Sequence, residues 1–151
     1  MVAVTDYYPN KDGYIEDGHV IAMCKAEDIT MTAGSLVALG AHVSNYVTVK
    51  TSDAVKAGDA VGMCLRAPVA INDTVPVCFT GVVKAVAYEV LAAGALVSSA
   101  LTTLNTVADA ITDHTSVNLV HNGGTAHILG MTMQASTTAA DEILVFFGKF
   151  C

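Results

Sequence analysis

The chain has no tryptophan, three prolines and four cysteines in 151 residues. Only 14% of its residues are charged and 6% are aromatic. Each shortage excludes something. With five Tyr, four Phe and no Trp, there is little to build a sugar-stacking platform or a base-stacking face. Seven basic residues against fourteen acidic ones give a net charge of −7, and the pI is near 4.9. That excludes the basic footprint of a nucleic-acid binder. Cys24, Cys64, Cys78 and Cys151 show no CxxC spacing. No basic stretch followed by an apolar run occurs within residues 1–18, so no signal peptide is expected. The cysteines are therefore read as reduced, small and mostly buried. Two windows, 90–108 and 114–140, carry no Asp, Glu, Lys or Arg. Both are rich in Ser, Thr, Asn or His, each of which would need a partner in hydrocarbon, so neither is expected to span a membrane.

What the chain does have is apolar residues, 53% of the total, with a mean hydropathy of +0.54. Its length fits one domain with a buried core. High hydrophobicity with few charges suggests that partner subunits cover part of the surface.

Short β-branched runs recur between Gly, Asp and Asn signals. Strands are expected at Val20–Cys24, Leu36–Leu39, Tyr46–Lys50, Ala60–Leu65, Val75–Thr80, Val82–Glu89, Leu96–Ser98, Ser116–Val120, Ile128–Met133 and Glu142–Phe147. Strands at this spacing read as an all-β barrel or sandwich. The segment Leu101–Thr112 is the one candidate for a short helix.

Two kinds of repeat organise the chain. The first is Ala-Gly, two residues, then Val, at Gly34, Gly58 and Gly94. Glycine there supplies the positive φ that a tight turn before a strand requires. The second is longer. Residues 62–79 align without gaps on 130–147, with Gly, Met, Ala, Asp, Val and Phe identical at six of eighteen positions. Each copy reads as strand, loop, strand. The second strand puts Val75, Val77 and Phe79, or Ile143, Val145 and Phe147, on one face. Two related hairpins predict a pseudo-symmetric barrel. Asp73 and Asp141 follow the loop turns at Asn72 and Ala140, where their carboxylates are expected to accept backbone N–H bonds.

Catalytic motifs are missing. There is no GxSxG elbow, no HExxH and no GxxxxGK[ST]. Cys24 and Cys64 lie in apolar strand patterns, where a thiolate is costly. His121 and His127 flank Asn122-Gly123-Gly124 and could hold a metal with Asp113 or Cys151. The favoured reading is a plain cross-strand or exposed pair. Glu16/Asp17, Glu27/Asp28 and Asp141/Glu142 read as solvated turn acids. No catalytic residue, metal or cofactor is expected, and the protein is not expected to be an enzyme.

Residues 1–18 differ from the rest and are set apart as an N-terminal arm, with residues 19–151 as a single β-domain. Tyr7, Tyr8 and Tyr14 stand there beside Pro9, Asp12 and Gly13. The segment reads either as a leader without structure or as an arm whose tyrosines anchor it on a neighbour. Phe150 belongs to an apolar C-terminal run suited to a core or interface. Tyr7, Tyr8, Tyr14 and Phe150 are the candidates for contact with a partner or a neighbouring subunit.

The order of Gly62-Met63-Cys64-Leu65, Asp73, Val75-Pro76-Val77, Gly81-Val82-Val83, Ala93-Gly94-Ala95-Leu96-Val97, then Leu129-Gly130-Met131, Asp141 and Val145 resembles the small capsid decoration, or cement, proteins of tailed bacteriophages. The resemblance covers about Asp28–Phe147. It departs from the family pattern at Asn72 and Ala140, where glycine is more typical, and over Ser99–Gly124, which looks longer. It implies a compact β-barrel or β-tulip-like domain that assembles as a homotrimer. It also implies binding to the major capsid protein on the outer capsid surface of the virion, after synthesis in the host cytoplasm. Two other classes fit the same residues: a β-clip-like small-molecule or sugar-acid binding module, and a phage tail or fibre component.

Overall fold

The computed structural model describes residues 20–41, 45–52, 60–100, 106–109 and 128–148. Among these residues every regular element is a strand: β1 (Val20–Ala26), β2 (Leu36–Leu39), β3 (Thr48–Thr51), β4 (Gly62–Cys64), β5 (Thr74–Ala87), β6 (Leu96–Ser99), β7 (Thr106–Asp109), β8 (Gly130–Thr132) and β9 (Glu142–Phe147). The all-β reading holds, with two local corrections. The strands expected at Val75–Thr80 and Val82–Glu89 are one continuous strand, β5, because Gly81 does not break it. Gly81 instead takes φ 136° and lets the strand change direction without stopping. The helix expected over Leu101–Thr112 is not formed where the chain is described: Thr106–Asp109 is strand. Its β-branched Thr106 and Val107 face ready partners. The chain pairs with β6 on one side and with Val86 and Ala87 of β5 on the other. Ladder bonds on both edges outweigh a weak local helix preference. Ser116–Val120 lies outside the described residues.

The sheet closes twice. Antiparallel β2–β3, β2–β4, β4–β5 and β5–β1 pairs, with a parallel β1–β3 pair, complete a five-stranded ring. The same pattern repeats: β6–β7, β6–β8, β8–β9 and β9–β5 are antiparallel and β5–β7 is parallel. The first half of β5 belongs to ring one, where Thr74–Thr80 pair with β1. Its second half, Gly81–Val86, pairs with β9 in ring two. Closure leaves neither ring with an unpaired edge among these strands.

The hairpin repeat read from the sequence is β4–β5 and β8–β9, and the register confirms it. Met63 lies opposite Cys78 as Met131 lies opposite Phe146. Leu36 lies opposite Met63 as Leu96 lies opposite Met131. The duplication extends beyond the hairpin to whole rings, each with the same strand order.

Each ring fills its inside with the apolar residues that alternate along its strands. Ring one encloses Cys24, Ala26, Met31, Val37, Val49, Cys64, Val75 and Val77. Ring two encloses Ala85, Ala87, Leu91, Val97, Val107, Ile143, Val145 and Phe147. Gly62 and Gly130 sit where β4 and β8 press on the neighbouring strand. A Cβ on Gly62 would stand 2.6 Å from the Cys78 carbonyl oxygen, and one on Gly130 would collide with the Phe146 carbonyl.

Candidate functional site

The loops of the two hairpins are built alike. Asn72 and Ala140 both hold left-handed backbone, with φ 66° and 69°. This conformation aims their N–H groups at the ends of β1 and β5: Asn72 N donates to Ala26 O at 2.8 Å and Ala140 N to Ala87 O at 2.7 Å. The next residue in each loop is the aspartate expected to bind backbone. Asp73 accepts from Val69 N at 2.9 Å and Thr74 N at 2.8 Å, and pairs with Arg66 at 3.4 Å. Asp141 accepts from Thr137 N at 2.7 Å and Thr138 N at 3.0 Å, and from both threonine hydroxyls at 2.9 Å. Hydrogen bonds from Thr138 and Thr137 hold the Asp141 carboxyl down to about 2. The Val69 N–H, with Arg66 and Thr74, lowers Asp73 as well. Both aspartates are loop clamps.

The turn glycines behave as read where they are described. Gly34 has φ 90° and Gly94 has φ 81°. Their N–H groups donate to Cys64 O at 2.7 Å and Thr132 O at 2.8 Å, equivalent positions in the two rings. Gly58 lies outside the described residues. So do Tyr7, Tyr8, Tyr14 and Phe150, and also His121, His127, Asp113 and Cys151.

The acid pair Glu27/Asp28 is not a facing dyad. Glu27 accepts from Ala41 N at 2.7 Å. Asp28 accepts from Thr51 N at 2.9 Å and Thr30 N at 3.0 Å. Partial burial pushes the Asp28 carboxyl up, but the Thr51 and Thr30 bonds outweigh it and the net direction is down. Cys24, Cys64 and Cys78 are free and buried. Burial pushes all three thiols up, Cys78 to about 11, so none is a thiolate at neutral pH. No cluster of three or more metal-ligating side chains occurs among the described residues. No helix among them is long and apolar enough to cross a membrane.

What the molecule presents outward is apolar surface. Val69 is 85% exposed and Ile71 62%, both on the first hairpin loop. The Asn72–Ala26 bond brings that loop to the end of β1, which leads into exposed Ile29. In the second hairpin the equivalents of Val69 and Ile71 are Thr137 and Ala139. A second surface lies on the outer side of ring two, where Met133 is 52% exposed beside half-buried Leu96, Met131 and Leu144. The sequence reading did not single out either surface. Comparing the two copies position by position would have flagged the loop, because a structural loop has no need of Val and Ile where its twin uses Thr and Ala.

No protein-family model matches the chain, and no curated protein matches it. A solved structure does. The head fiber gp8.5 N base in bacteriophage phi29 aligns with a TM-score of 0.53, over 86% of this chain and 94% of that one. The identity is 12%, so the likeness is one of fold.

Proposed function

We propose that this protein is a virion structural component of a tailed bacteriophage: a capsid decoration protein that binds the outer surface of the assembled major capsid protein shell as a homotrimer. The observation that carries the reading is the shared fold with a phage head fiber base, over nearly the whole of both chains. The cement-like order of turns and strands supports it independently. Buried thiols and clamped aspartates fit a role without a reaction, cofactor or metal. The charge of −7 fits a protein facing outward from packaged nucleic acid.

The mechanism is linkage. A protein that binds the expanded shell and not free subunits stabilises the shell by its binding free energy. Many copies act together, so modest affinity per contact suffices. The exposed loop of Val69 and Ile71, with Ile29, supplies apolar contact area on a clamped, rigid base, which limits the entropy lost on docking.

The test is co-sedimentation with capsids of the phage that encodes the chain. Binding to expanded shells, absence from unassembled capsid subunits, and a raised shell melting temperature are the expected results. No association with expanded shells would overturn the reading. The fold likeness also supports a head fiber base as a second reading. In that case the protein would occupy particles only where a fibre emerges.

A further inference from the structure

The two rings repeat one another, yet equivalent surfaces on them are not equally buried. On the outer side of ring one, Leu36, Met63 and Cys78 form a cross-strand row, each at most 1% exposed. Leu65, further along the same face, is 3% exposed. The equivalent row on ring two is Leu96, Met131 and Phe146, with Met133 in the place of Leu65. There the first three are only half-buried and Met133 is exposed. The row keeps its apolar character in both copies but is less deeply buried in the second.

The cover on ring one is visible. Leu36, Met63, Leu65 and Cys78 belong to the same packed cluster as Val83, Val97, Val145 and Phe147 of ring two. That cluster leaves Val83 and Phe147 with no exposed surface. The positions equivalent to Val83 and Phe147 on ring one are Ala22 and Phe79. Both are only partly buried. The chain therefore carries the two halves of its own internal ring-to-ring contact in less deeply buried form: an outer row on ring two and the Ala22–Phe79 end of ring one.

We infer that a second copy of this chain occupies the outer row of ring two, docking the Ala22–Phe79 end of its ring one there. The contact between copies repeats the contact within the chain. Such an interface is heterologous, head to tail, and makes a closed ring when the repeated rotation returns to its start. On the homotrimer reading, on which this inference rests, three copies close a ring of six similar β-rings. Six near-equivalent units with one recurring contact explain why both copies of the row stay apolar.

Two variants test it, read by sedimentation velocity on the full chain. Met131→Glu places a charge on a row that the interface would desolvate. It is expected to weaken self-association by about 100-fold or more while leaving the far-UV spectrum unchanged. Met131→Leu is expected to stay assembled. As an independent readout, Ala22→Cys/Met131→Cys in a Cys151→Ser background is treated with a short bis-maleimide. Covalent products that climb to three chains and stop support the ring. A wild-type protein that sediments as a trimer, but whose Met131→Glu variant also does and whose cysteine pair does not link chains, overturns this face and leaves the trimer reading standing. A wild-type monomer at micromolar concentration overturns both.

Discussion

Asn72 and Ala140 hold the same left-handed conformation at the same place in two loops, and neither is glycine. For an L-residue that conformation costs about 1 kcal/mol, and asparagine tolerates it better than alanine. Ala140→Gly should therefore stabilise the fold by up to about 1 kcal/mol in urea unfolding, less whatever is lost to the freer unfolded chain. A loss of stability would show that the Ala140 side chain makes a contact that matters. Gly130 behaves in the opposite sense. Gly130→Ala drives a Cβ into the Phe146 carbonyl and should cost about 1–3 kcal/mol, with Gly62→Ala following it. Asp141 gives a pH signature. Its folded pKa of about 2 lies below its ordinary 3.8, so its contribution is fully present above that ordinary value and is lost as pH falls through about 2. Wild-type stability should thus drop more steeply than that of Asp141→Asn between roughly pH 4 and 2. Parallel curves would remove the clamp from the account. At this scale turn chemistry is legible in the sequence: Gly34 and Gly94 take positive φ, and Asp73 and Asp141 accept backbone N–H bonds within their loops. The exposed Val69 and Ile71 are not legible, because a single apolar residue in a loop carries no signal without its twin for comparison.

Among the elements, β5 decides the behaviour of the rest. It gives one half to each ring, so neither ring can lose it without opening the other. Met31 and Leu91 hold equivalent buried positions just before the two turn glycines, one inside each ring. Truncating either to alanine should cost about 2–5 kcal/mol. The sharing of β5 adds a further expectation: each substitution should lower hydrogen-exchange protection in both rings, with a single unfolding transition. Two resolved transitions, or protection lost in one ring alone, would contradict it. Element boundaries are legible where turn residues bracket a short apolar run, as at Leu36–Leu39 and Glu142–Phe147, which the structure reproduces, whereas the alternating Tyr46–Lys50 becomes Thr48–Thr51. Thr80-Gly81 looks like a turn when only local chemistry is considered, so local chemistry alone divides β5 in two. The strand pairing of β7 is not legible in its own residues, because its partners, β6 and the end of β5, are supplied by the fold.

At the scale of the whole molecule, the apolar, weakly charged composition now divides into three uses. Much of it fills the two small rings. Some of it joins ring to ring through the Leu36–Met63–Cys78 row. The remainder stays outside: on the first hairpin loop, on the outer row of ring two, and at other exposed positions such as Met23, Leu39, Tyr46, Val47 and Val90. The repeated hairpin announced the duplication, but not its extent. Only six of eighteen positions agree even in the best-matched stretch, and the other strands retain topology without identity. A trimer would have a mass of about 47 kDa, three times 15.6 kDa.

The central claim is that this protein decorates a phage capsid. A cryo-electron microscopy reconstruction of the virion, compared with particles from a deletion of this gene, tests it most directly. The account predicts threefold density on the outer shell into which three copies of the double ring fit, absent from the deletion particles and unoccupied on unexpanded precursors. Particles with identical outer surfaces in the presence and absence of the gene would contradict it.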